Sequence, residues 1–106
     1  MPKFLIQASY SSEGIKGLAM DKASGRKAAV AAAIKSVGGK LECMYYSFGD
    51  YDVVLVAELP DAASAASMAF SVSSTGLAHT KTTPLLTIEE TDTALGKSVS
   101  YKAPGK

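Results

Sequence analysis

The sequence predicts an α+β domain with the element order β-α-β-β-α-β, and three observations carry that prediction. Residues 3–9 divide into Phe4, Ile6 and Ala8 on one side and Leu5, Gln7 and Ser9 on the other, while Val53-Val54-Leu55-Val56-Ala57 is an apolar run of the composition found in buried strands. Two long stretches carry helix signals instead, with capping residues at 11–12 and at 61, and glycine stops at 38–39 and at 76. Between the second and third strands stands only Gly49-Asp50-Tyr51, which leaves room for a turn and makes those strands an antiparallel hairpin.

The elements follow in order. The first strand, residues 3–9, has Phe4, Ile6 and Ala8 as its more apolar face. Ser11 and Ser12 are candidate N-caps, and Glu13 puts negative charge where a helix N-terminus favours it. Gly14, Gly17 and Ala23-Ser24-Gly25 weaken this helix, so it is expected to kink or split near Ser24 and to resume with Val30, Ala33, Ile34 and Val37 on one face. After Gly38-Gly39 the second strand, residues 40–48, is expected to alternate Leu41, Cys43 and Tyr45 against Glu42, Met44, Tyr46 and Phe48. Gly49 supplies the positive φ of the turn, and residues 52–58 form the third strand. Asp61 caps a second helix whose contact face is mostly alanine, with Met68, Phe70 and Val72 supplying buried bulk. A last strand over residues 76–83 continues past Pro84 through Leu85 and Leu86, and residues 88–95 form a short final helical turn. A hairpin flanked by two crossover helices is the ferredoxin-like plan, a two-layer sandwich of one antiparallel sheet covered on one face by both helices.

The chain of 106 residues is expected to hold one domain, residues 1–95, followed by a tail over residues 96–106. With 11 basic against 10 acidic residues and a net charge of +1, no electrostatic footprint for nucleic acid or an anionic membrane exists, so neither is an expected partner. No apolar run is long enough to span a bilayer, and the N-terminus carries no signal-peptide pattern, which gives a cytoplasmic expectation. The lone Cys43 fits a reducing compartment.

A two-layer sandwich covers one sheet face only, yet the third strand offers Val53, Leu55 and Ala57 on one face and Val54 and Val56 on the other. Leaving even a few hundred Å² of apolar sheet in water forgoes several kcal/mol at about 25 cal/mol per Å², so the open face is expected to be a subunit interface of a homodimer or higher homo-oligomer. Gly49-Asp50-Tyr51-Asp52, directly before that strand, resembles the Gly-Tyr-Asp signature of the GYD domain family, with an acid inserted after the glycine. The similarity extends to Pro2-Lys3-Phe4-Leu5-Ile6, Glu13-Gly14-Ile15-Lys16-Gly17-Leu18, Gly38-Gly39-Lys40-Leu41-Glu42 and Thr82-Thr83-Pro84-Leu85-Leu86-Thr87. It implies the dimeric α+β barrel assembly, in which two ferredoxin-like sheets pack face to face. That group includes cofactor-free monooxygenases, isomerase-like enzymes, haem-handling enzymes and ligand-sensing modules, so the resemblance implies no particular reaction.

Among residues that carry chemistry, His79 is the only histidine and the side chain whose ordinary pKa suits acid/base work near neutrality. Lys81 shares its strand face, and Tyr10 stands where the first strand meets a helix N-terminus, so these three form the weak catalytic set. The competing reading gives His79 and Lys81 a surface or interface role. Asp50 and Asp52 flank a turn, where aspartate is commonly structural, and Tyr51 is expected to lock the hairpin rather than to contact a ligand. No second His and no Cys-x-x-Cys accompany His79 and Cys43, so neither a metal nor a cofactor is expected. The leading functional expectation is a self-associating binding or structural module. The alternative is a small cofactor-independent enzyme, monooxygenase-like or isomerase-like, acting on a small organic molecule.

Overall fold

The computed structural model describes residues 1–106. The elements are β1 (Lys3–Tyr10), α1 (Ser12–Ser36), β2 (Lys40–Tyr46), β3 (Val53–Glu58), α2 (Ala62–Ser73), β4 (Ala78–Leu85) and α3 (Ile88–Leu95). The strands form one sheet in the order β2-β3-β1-β4, and every adjacent pair is antiparallel. Each helical crossover therefore passes over one strand, α1 over β3 and α2 over β1, as a ferredoxin-like sheet requires. No helix is long and apolar enough to cross a membrane.

Register explains which residues are buried. Phe4, Ile6 and Ala8 stand opposite Ala57, Leu55 and Val53, and all six are buried on the face that the helices cover. Ile34 from α1, Ala65 from α2 and Leu59 close this core, Ile34 and Leu59 being wholly inaccessible. The opposite phase puts Leu5, Gln7, Val54 and Val56 on the open face. On β4 the same register puts Ala78, Thr80, Thr82 and Pro84 with the helices, and His79, Lys81, Thr83 and Leu85 on the open face. Pro84 is tolerated because β4 is an edge strand.

The second strand departs from simple alternation. A bulge between Leu41 and Cys43 leaves Glu42 as the extra residue, so Leu41 moves to the side of Met44, and both pack against the core. Glu42 joins the open-face charges, where it bonds Lys3 Nζ and, with Glu58 near by, raises the lysine pKa. The strand also stops at Tyr46, and Phe48 stands 98% exposed in the loop over residues 47–52, not on a strand face. Of the residues expected to supply buried bulk on α2, Met68 packs against the core, but Phe70 is 73% exposed on the outer side.

Capping follows the sequence signals. Ser11 accepts from Gly14 N at 3.1 Å, and Asp61 from Ser64 N at 2.8 Å, a bond that lowers the Asp61 pKa. The α1 interruption falls at Lys22, whose φ of 63° and ψ of 164° lie in a region ordinarily reserved for glycine, two residues before the expected site. The final helical turn expected over residues 88–95 is the two-turn helix α3, capped by a reciprocal box between Thr87 and Glu90.

Candidate functional site

The helices do not seal the face they cover. α1 crosses toward β2 and α2 lies along β4, and between them opens a cavity of about 410 Å³, within the range of small-molecule sites, roughly 300–1,000 Å³. Its floor is Ile6, Ala8, Val53 and Leu55, and its walls are Val30 and Ala33 from α1 and Met68, Ala69 and Val72 from α2. Small residues make the space: alanine at 33 and 69 and glycine at 17 add no bulk to the helix surfaces that line it. The width of this apolar slot is thus set by the sequence.

One end of the cavity is polar. Tyr10 closes it from the sheet, and Asp21 and Arg26, which flank the break at Lys22, reach it from α1 with Arg26 Nη1 standing 3.5 Å from Asp21 Oδ2. The backbone break thus lets two charged residues of one helix reach a cavity that its regular turns line with apolar ones. Tyr46 lies against Tyr10 and within the field of Arg26; burial, then the Tyr10 phenol beside it, push the Tyr46 hydroxyl up to about 12, against the opposing effect of Arg26. Thr80 and Thr82 add hydroxyls along β4.

A pH dependence follows from Tyr46. Its folded pKa lies above the ordinary 10.0, so the folded state holds the proton more tightly than the unfolded state does. The resulting stabilisation is complete below pH 10.0 and is lost as pH rises through about 12. In an ultraviolet titration of tyrosinate, one of the five tyrosines should ionise near 12, and Tyr46→Phe should remove that late phase. A Tyr46→Phe protein that keeps the late phase would assign it elsewhere.

Of the residues singled out from the sequence, Tyr10 alone of the catalytic set lines the cavity. His79 and Lys81 are exposed on the other side of the sheet, so one chain does not bring the three together. The motif residues form a structural joint at the cavity's polar end. Gly49 takes φ 129°, Ser47 Oγ donates to the Tyr51 carbonyl at 2.8 Å, and Ser47 N donates to the Asp52 carbonyl at 2.7 Å. Asp52 N in turn donates to Ala8 O at 2.8 Å, and Asp52 Oδ2 accepts from Tyr10 N at 2.7 Å. Asp50 is exposed, and Tyr51 is half-buried. The two acids therefore have different duties: Asp52 ties the hairpin loop to the end of β1 and so fixes the backbone that carries Tyr10. A profile of the GYD domain matches residues 4–95 of the chain.

The chain belongs to the GYD domain family. No curated protein and no solved structure matches it. In this GYD domain the Gly-Asp-Tyr-Asp motif is a backbone device, with its final acid bonded to a main-chain amide. Arg26 and Asp21 escaped the sequence reading because only the fold brings the α1 break over the end of β1. The one available signal was the expected helix interruption itself, since a broken helix re-aims the residues beside it.

Proposed function

We propose that this GYD domain is a self-associating binding module: two copies pack their open sheet faces together as a dimeric α+β barrel, and each holds a small organic molecule between its own sheet and helices. The open face carries the first half of the reading. Its centre is Leu5, Val54, Val56 and Cys43, flanked by Tyr45 at 67% exposure, and no element of the chain covers it. A second copy suits that face, because a self-complementary sheet packs on its own image through a two-fold axis. Lys3, Glu42 and Glu58 cluster at one end of the face, and Lys81 adds a cation on the β4 edge. The chain beyond β4 points the same way, since Leu86, Ile88, Leu95, Val99 and Tyr101 are all more than 60% exposed and find no surface in their own domain. In the dimer we assign residues 86–101 to the partner's surface.

Val56→Asp tests the interface at the centre of the face. It places a charge where apolar contact holds the copies together while leaving the helix-covered core untouched. Burying an unpaired charge costs several kcal/mol, so association should weaken by at least about a hundredfold, seen as a monomer at micromolar concentration with unchanged far-ultraviolet circular dichroism. An undiminished oligomer would place the interface elsewhere.

The alternative, a cofactor-independent enzyme built on His79, Tyr10 and Lys81, has less support. Tyr10 faces the cavity while His79 and Lys81 share the open face, and the cavity's only carboxylate, Asp21, is engaged with Arg26.

A further inference from the structure

The polar end of the cavity is unbalanced in its hydrogen-bonding chemistry. The Arg26 guanidinium offers five N–H donors and Tyr10 adds a phenol, with Tyr46 set against Tyr10 outside the cavity lining. Against these stands one carboxylate, Asp21, at 3.5 Å from Arg26 and more than half exposed. Away from these groups Ile6, Val53, Leu55, Val30, Met68 and Val72 present no hydrogen-bonding side chain, and the remaining polar lining is the hydroxyls of Ser71, Thr75, Thr80 and Thr82.

We infer that the cavity binds a monoanionic amphiphile, an apolar body that lies over Val53 and Leu55 and ends in one carboxylate received by Arg26 and Tyr10. Three features choose this class. The excess of donors selects an acceptor head group and disfavours an amine, which would meet a guanidinium. Asp21 neutralises part of the Arg26 charge, which matches the site to one negative charge better than to the two of a phosphate. The apolar floor selects a largely apolar body, because a polar atom set against Val53 and Leu55 would be buried without a partner. Recognition of the head thus depends on the α1 break, because Asp21 and Arg26 stand on either side of Lys22.

This inference rests on the cavity being a binding site and is independent of the sheet-face interface. Three probes of matched chain length separate the possibilities: decanoate, decanol and decylamine, titrated into the unmodified full-length protein and followed by backbone amide NMR. Decanoate should bind at least about tenfold more tightly than decylamine, the value of one charge-assisted hydrogen bond, with shifts at Ala8, Tyr10 and Val53. Arg26→Gln should lower decanoate affinity about tenfold and leave decanol unchanged, and Tyr10→Phe should give a smaller loss of the same selectivity. Equal binding of all three probes would overturn the head-group assignment while leaving the cavity a binding site. Failure of all three to shift cavity residues would overturn both, and shifts confined to the open face would move the binding site there.

Discussion

Gly14→Ala should destabilise the domain by about 2 kcal/mol or more, lowering the melting temperature by about 10 °C, although alanine is the better helix former. The first turn of α1 passes directly over the start of β4: Ser11 N donates to Leu77 O at 2.9 Å, and Ser11 Oγ reaches the same oxygen at 3.2 Å. A Cβ on Gly14 would overlap that carbonyl and press on the Tyr10 ring at 3.0 Å. Since the obstacle is backbone, relief requires α1 to lift from the sheet, which breaks both bonds and widens the polar end of the cavity. Gly17→Ala, one turn later in the same helix, should instead stabilise by about 0.5–1 kcal/mol, because a Cβ there meets nothing within 4 Å and the helix gains from losing a glycine. Thermal denaturation of the two variants gives opposite signs if the close approach at Leu77 is as described. Losses of equal size at both positions would contradict it.

Asp52→Ala should cost about 1.5–3 kcal/mol, the range for a hydrogen bond to a charged group, whereas Asp50→Ala should stay within about 0.5 kcal/mol of the parent. The difference lies in placement. Asp52 Oδ2 accepts from Tyr10 N at 2.7 Å across a gap of 42 residues in sequence, while Asp50 is exposed on the loop. Removal of the carboxylate leaves the Tyr10 amide without that partner and frees the end of β1, so amide exchange should accelerate at Tyr10 and Ser11 before it does at Ile6. Denaturant unfolding with exchange measured at these amides checks both parts. Equal effects of the two substitutions would mean that the motif acts through its charge and not through this bond.

What the sequence made legible was whatever depended on local periodicity. Phe4, Ile6 and Ala8 and their partners Val53, Leu55 and Ala57 alternate cleanly because neither strand is interrupted, and Ser11, Asp61 and Gly49 occupy positions whose local chemistry is nearly deterministic. Simple alternation fails in the second strand at Leu41 because a bulge shifts the phase by one residue, and no residue type announces one there. Phe70 illustrates the limit of composition: its size suggested burial, but the alanine face that packs α2 on the sheet leaves it on the other side. The capping box at α3 is written in Thr87-Ile88-Glu89-Glu90, a local pattern that sets the start of that helix. The candidate site was the least legible part, because it depends on how far apart α1 and α2 settle and on which side of Lys22 each charge emerges.

Self-association through the open sheet face is the claim on which the functional reading turns, and sedimentation velocity of the unmodified protein tests it most directly. At micromolar concentration the account predicts a species of at least twice the 10.9 kDa chain mass, converted to monomer by Val56→Asp. A single 10.9 kDa species at those concentrations, with the sheet face of Leu5, Val54 and Val56 left in water, would contradict it.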